Sequence, residues 1–277
     1  MARTDTLGNF LTDVAEAIRT KEGTTETIPA SEFDTRISNL SGGGKYAPKH
    51  ITFFEFDGNS LDYELENLDT SNIVDMDKMF SWCRYVKNLD VTNFNTANVT
   101  RMQSMFDTDF SLTSLDVSNF DFTNVIDCGS MFDGCIVLSS IKFGAHDAPA
   151  LKYMNKMFYE CKSLTELDLS GFKANQVTTL YATFYDCSKL EKLNLSGLDT
   201  TNVTSTTNLF YNCPLKTLII DNPVVFKITS DNSFQSSGIK NGTCLIYVPD
   251  NLVDAYKADT YWGPYASQIK PISEYSE

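Results

Sequence analysis

Met131-Phe132-Asp133-Gly134-Cys135 is the stretch whose reading decides the fold, because its equivalent returns along the chain without drift. Phenylalanine stands at 80, 106, 132, 158, 184 and 210, so every step is 26 residues. Just before it come Met79, Met105, Met131, Met157, Thr183 and Leu209; seven before it come Ile73, Val99, Val125, Leu151, Val177 and Val203. Nine residues after the first five stand Leu89, Leu115, Ile141, Leu167 and Leu193, and two further on Val91, Val117, Phe143, Leu169 and Leu195. The last copy is one residue short after Pro214, so Leu218 and Ile220 take these places.

Each copy holds two periodicities. Leu115-Asp116-Val117 alternates, which predicts a short strand with one buried face. Val125, Cys128, Met131 and Phe132 fall at i, i+3, i+6 and i+7, the spacing of one apolar helical or 3₁₀ face. A strand and one helical turn cannot bury their apolar sides alone, so successive copies must stack. The period lies inside the range of about 20–29 residues used by leucine-rich repeats. The expected fold is an α/β repeat solenoid, leucine-rich-repeat-like, with 26-residue turns, one parallel β-sheet and short helical turns opposite. The phenylalanines would stack inside, each worth roughly 1.5–3 kcal/mol when buried. Phe132→Ala is expected to cost about 3–5 kcal/mol, and Asp116→Ala almost nothing.

The strings L-D-V-S-N-F at 115–120, N-V at 98–99 and 202–203, and M-F-D-G-C at 131–135 resemble the BspA-type leucine-rich repeats, over residues 65–220. That family occurs in bacterial surface proteins, including lipoproteins. The resemblance implies the fold and a loose link to adhesion and binding, with no shared catalytic residues.

In order, the chain divides into a helical attachment module (1–41), a Gly-rich linker (42–50), a cap hairpin (51–64), six repeats (65–217) and a C-terminal strand–helix cap (218–277). In the first part, Leu7, Phe10, Leu11, Val14 and Ile18 line one face of a predicted helix, and Phe33, Ile37 and Leu40 line a second that opens at Pro29. Two such helices are too small for a core of their own, so they need a partner, in a homo-oligomer or on another protein. The openings T-D-T-L-G-N-F-L-T-D-V-A-E-A-I-R at 4–19 and I-P-A-S-E-F-D at 28–34 resemble those of bacteriophage tail and virion-surface proteins. This resemblance implies docking of residues 1–41 to other virion or tail proteins.

Composition narrows the partners. Hydrophobic residues are 42% and charged ones 21%, as in an ordered protein. With 22 Lys and Arg against 36 Asp and Glu, the net charge is −14, which argues against nucleic acid and anionic membranes. No run approaches a membrane span, and no apolar signal core follows Met1, so neither insertion nor classical export is expected.

Little in the sequence points to chemistry. Cys83, Cys135, Cys161, Cys187 and Cys213 each lie three residues after a repeat phenylalanine, with Asp109 in that place in the second copy. Copies stacked about 4.7–4.9 Å apart would bring neighbouring cysteines within disulfide range, but a column of small buried thiols is the preferred reading. His146 replaces the phenylalanine of Phe94, Phe120 and Phe172 and reads as a filler; His50, the other histidine, lies in the linker. Asp75-Met76-Asp77 and Asp107-Thr108-Asp109 begin like calcium loops but do not continue as such. No enzyme, cofactor or metal is expected.

What remains is the outward strand face: Asn88, Asp90, Ser114, Asp116, Ser140, Lys142, Glu166, Asp168, Lys192 and Asn194. These make a polar ladder of about 4.8 Å spacing, suited to a host surface protein or a regular glycan and without an aromatic platform. The leading expectation is a phage tail or virion-surface protein displaying this face for host-cell recognition, anchored by its N-terminal helices and located in the virion. The alternative is a bacterial cell-surface adhesin of the BspA type.

Overall fold

The computed structural model describes residues 68–276. The attachment module with Leu7, Phe10, Leu11, Val14, Ile18, Phe33, Ile37 and Leu40, the linker and the cap hairpin lie outside the described residues.

Short strands form at five of the six alternating triplets, all but 89–91: β1 (Ser114–Asp116), β2 (Ser140–Lys142), β4 (Glu166–Asp168), β6 (Lys192–Asn194) and β7 (Thr217–Ile219). Their central residues Leu115, Leu167, Leu193 and Leu218 are buried, and Ile141 is partly so. Two-residue strands β3 (His146–Asp147) and β5 (Phe172–Lys173) lie between them, and β8 (Leu245–Val248) and β9 (Ile269–Pro271) follow. All pairing is parallel, but the single sheet expected is corrected to three, a five-stranded sheet of order β4-β6-β7-β8-β9 and two pairs, β1-β2 and β3-β5, because β2 and β4 are not hydrogen-bonded to each other. The fold is thus α/β and repeat-like, with few helices.

The register carries the sequence period. Leu115 pairs with Ile141 and Leu167 with Leu193, each across 26 residues; Leu193 pairs with Leu218 across 25, where the copy after Pro214 is short. A second file of parallel bridges runs Asp75–Arg101–Asp127–Tyr153–Thr179–Ser205.

Inside, Phe80, Phe106, Phe132, Phe158, Phe184 and Phe210 are all fully buried. Consecutive rings lie 5.6, 5.5, 5.5, 5.5 and 6.0 Å apart and within 12° of parallel. The column runs one ring further, to Phe234 at 6.2 Å, and Trp262 closes it at 5.0 Å. Phe234 stands 24 residues after Phe210, so the strict period misses it. The closing segment is fixed by Trp262, whose Nε1–H donates to the Phe226 carbonyl at 2.7 Å, and by Tyr256, whose buried hydroxyl accepts the Phe226 N–H at 2.9 Å. Tyr256 belongs to α1 (Val253–Ala258), the one α-helix among the described residues.

The short helical turns predicted opposite the sheet are a correction. Around each phenylalanine the chain makes turns, not helices, and its donors alternate in direction. Met131 N–H reaches back to Cys128 O at 3.3 Å, as a 3₁₀ turn would, but Ser130, Phe132 and Gly134 donate to Asn155, Met157 and Tyr159 in the next copy at 2.9, 2.9 and 2.8 Å. The residues two before and two after each phenylalanine have positive φ: Lys78 and Trp82, Ser104 and Thr108, Ser130 and Gly134, Lys156 and Glu160, Ala182 and Asp186, Asn208 and Asn212. The left-handed conformation costs a non-glycine residue about 1–2 kcal/mol. Here it aims backbone donors at the neighbouring copy, which a helix, keeping its donors to itself, could not do.

His146 fills its slot as the sequence suggests, buried against Phe122 at 5.1 Å and Phe172 at 6.3 Å. Its Nε2 accepts the Gly144 N–H at 3.0 Å, and burial pulls its pKa below the ordinary histidine value. A side chain at Gly144 would press to 2.7 Å from the Ser118 carbonyl, so this departure from the repeat is sterically tight.

Candidate functional site

The strand register brings Ser114, Ser140, Glu166 and Lys192 into files on the outer face, and likewise Asp116 with Lys142 and Asp168 with Asn194. Asn88 and Asp90 are exposed on the first copy, where no strand is formed. Most of the acidic and amide groups on this face already have partners. Asp90, Asp116, Asp168 and Asn194 accept the N–H of the residue two ahead, Thr92, Ser118, Ser170 and Ser196, at 2.9, 2.9, 2.8 and 3.1 Å. Each of these side chains turns the backbone out of its strand, as Asx turns do. Asp116 also accepts from Ser118 Oγ at 2.5 Å and Lys142 Nζ at 2.7 Å. The Lys142 ammonium and then Ser118 hold its carboxyl down at about 2. The carboxylate expected only to face water therefore also ends a strand.

The strand face, expected to have no aromatic platform, carries one ring pair at its C-terminal end, Tyr247 and Tyr275 at 5.0 Å with Lys192 Nζ 5.7 Å from the Tyr275 ring; the loop face, made by residues flanking each column phenylalanine, carries a longer aromatic series. Tyr159, Tyr185 and Tyr211 follow three consecutive phenylalanines, and their rings stack at 4.7 and 4.6 Å within 6°. Tyr153 and Tyr181 are 43% and 40% exposed. Lys156 Nζ sits 5.0 Å from the Tyr159 ring. Towards the first copy, Trp82, Tyr85 and Phe110 are 43%, 64% and 37% exposed. Arg84 lies between two of them, its guanidinium 4.3 Å from the Trp82 ring and 5.3 Å from that of Phe110. Tyr, Trp and Arg are the residue types that dominate binding energy at protein surfaces; here Trp82 and Tyr85 are exposed and Arg84 is half-buried. The sequence did hold a signal, tyrosine in one position of three successive copies. Its outward direction depends on the positive-φ backbone, which neither helical nor strand periodicity foretells.

The thiols face inward. All seven cysteines are buried, and none is in a disulfide. The Sγ atoms of Cys135, Cys161 and Cys187 donate to the carbonyls of Phe106, Phe132 and Phe158 in the preceding copy at 3.0, 3.2 and 3.1 Å, and Cys213 bonds to Phe184 O in the same way. Burial pushes these thiols far above their ordinary range where a shift is resolved, at Cys135, Cys161 and Cys213. A thiol held protonated is a poor nucleophile and a poor metal ligand. Among the described residues no three His, Cys, Asp or Glu side chains are grouped to hold a metal ion, and no helix is long and apolar enough to cross a membrane. Of the two calcium-like stretches, the first has its Asp77 carboxylate paired with Arg101, and the second has Asp109 buried in the thiol column.

Parallel register, an aromatic interior and two ordered outer faces define an α/β repeat-like protein. Residues 51–142 and 136–233 each match the family described as Mycoplasma protein of unknown function, DUF285; these stretches cover well over half of the chain, which belongs to that family. No curated protein matches the chain.

Proposed function

We propose that this protein is a non-enzymatic display module: a solenoid of 26-residue, leucine-rich-repeat-like turns that presents a binding face at a bacterial cell surface, as a BspA-type adhesin does. The carrying observation is the loop-face tyrosine ladder, held in register by the parallel pairing and by the phenylalanine column beneath it. Rigid aromatic side chains on ordered backbone lose little freedom on binding, which favours affinity. The partner is a host surface protein or glycan. The family match supports the surface-repeat reading in its coarse form. A second reading, a virion or tail protein docked through residues 1–41, rests on the resemblance of the segments at 4–19 and 28–34.

Adhesion of the purified chain to candidate host cells tests the proposal. Tyr185→Ala with Tyr211→Ala should weaken binding about tenfold or more, and Asp168→Ser with Asn194→Ser should weaken it less. Loss only with the second pair would move the binding face to the strand ladder, and adhesion unchanged by either would overturn display through this rod. Deleting residues 1–41 separates the two readings, since an adhesin keeps its cell binding while a virion protein loses incorporation into particles.

A further inference from the structure

The repeat contains its own control for a cation on the loop face. Four residues after Phe158 stands Lys162, whose Nζ is 2.9 Å from Glu160 Oε2 and 3.2 Å from Asp186 Oδ2. Those carboxylates occupy the position two after the column phenylalanine, in the same copy and in the next. Four residues after Phe80 stands Arg84, and the two equivalent positions hold Trp82 and Thr108. Arg84 forms no ion pair among the described residues, and its Nε is buried without a hydrogen bond. Its guanidinium is instead sandwiched between the Trp82 and Phe110 rings. The positive φ of Trp82 says nothing special, because every copy has it there.

We propose that Trp82, Arg84, Tyr85 and Phe110 form a docking site for a carboxylate-bearing protein segment, an Asp or Glu flanked by apolar side chains. The proposal rests on the display reading and names a partner chemistry for one end of the loop face. Two rings partly strip water from the guanidinium and fix its plane, so its fork is set for a carboxylate before the partner arrives. A charge-assisted, two-point hydrogen bond is the strongest contact that fork can make. The exposed parts of Trp82, Tyr85 and Phe110 offer apolar surface beside it. A net charge of −14 disfavours a polyanion such as nucleic acid or an acidic polysaccharide, while one carboxylate in apolar surroundings meets little repulsion.

The test is an NMR titration of the full chain with the capped tripeptide Ac-Phe-Glu-Phe-NH2 and its Gln counterpart, following the Trp82 indole and Arg84 Nε–H signals. The Glu peptide should bind with Kd of about 1 mM or tighter and the Gln peptide at least about tenfold more weakly, a difference of about 1.4 kcal/mol. Thr108→Asp places a carboxylate in the position Asp186 holds beside Lys162, so it should fill Arg84 from within the chain and abolish binding while the protein stays folded. Arg84→Gln should abolish it too. Equal binding of both peptides, no binding of either, a Thr108→Asp protein that binds like the parent, or glucuronate binding more tightly than the Glu peptide would each overturn the proposal. None of these would touch the tyrosine-ladder test above, so the two failures are distinguishable.

Discussion

Asp109 stands in the column where five other copies place cysteine. It is fully buried; its Oδ1 accepts the Ser111 and Leu112 N–H groups, both at 3.1 Å, and its Oδ2 makes no hydrogen bond. Burial is the main cause that pushes its pKa up to about 7 from the ordinary aspartate 3.8, and burial first, then neighbouring Asp107, pushes Asp133 up to about 6. The folded state therefore holds a proton that the unfolded chain gives up near pH 4, so this stability is complete below that pH and is lost as pH rises through about 7. Urea unfolding should show a less stable protein at pH 8 than at pH 5. Asp109→Cys should recover on the order of 3 kcal/mol at pH 8 and flatten the profile, leaving the smaller part due to Asp133. An unchanged profile in that variant would show that Asp109 does not carry the effect. The slot was legible in the sequence as a break in the cysteine column; the missing partner of Oδ2 was not, because it depends on where neighbouring backbone groups point.

At the scale of elements, the sequence located the strands from the second copy on and misjudged the first copy, where 89–91 forms none, as well as what faces them. The triplet around Leu115 alternates visibly, and β1 forms there. The i, i+3, i+6, i+7 spacing of Val125, Cys128, Met131 and Phe132 looks helical, yet a turn that alternates left- and right-handed residues buries the same side chains. Apolar spacing reports which side chains go inward and not which backbone carries them. The strand ends repeat the lesson: Asp90, Asp116, Asp168 and Asn194 read as a recognition ladder, but each also holds the N–H two residues on. Asp116→Ala should thus cost about 1 kcal/mol, in the range for losing a capping side chain, measured by denaturant unfolding near neutral pH. Because its pKa is depressed to about 2, the charged form supplies this stability above the unfolded pKa and loses it as pH falls through about 2. A variant as stable as the parent would return Asp116 to a purely surface role.

For the whole molecule, the 26-residue phenylalanine period was the most legible feature, and it matches the stacked rings and most of the parallel register. The tyrosine ladder and the Arg84 sandwich were less legible, because they arise only when copies are set side by side. Neighbouring copies share rings and backbone donors, so damage to one reaches the two beside it. Phe132 is the centre of that arrangement, stacked at 5.5 Å on Phe106 and on Phe158 and edge-on to Phe143 at 6.1 Å. Denaturant unfolding of Phe132→Ala against the parent chain is the most direct measurement of whether one aromatic spine holds the copies together. A loss of about 3–5 kcal/mol is the result expected of a fully buried ring shared by three copies; a loss below about 1 kcal/mol, the size of an ordinary surface change, would contradict it.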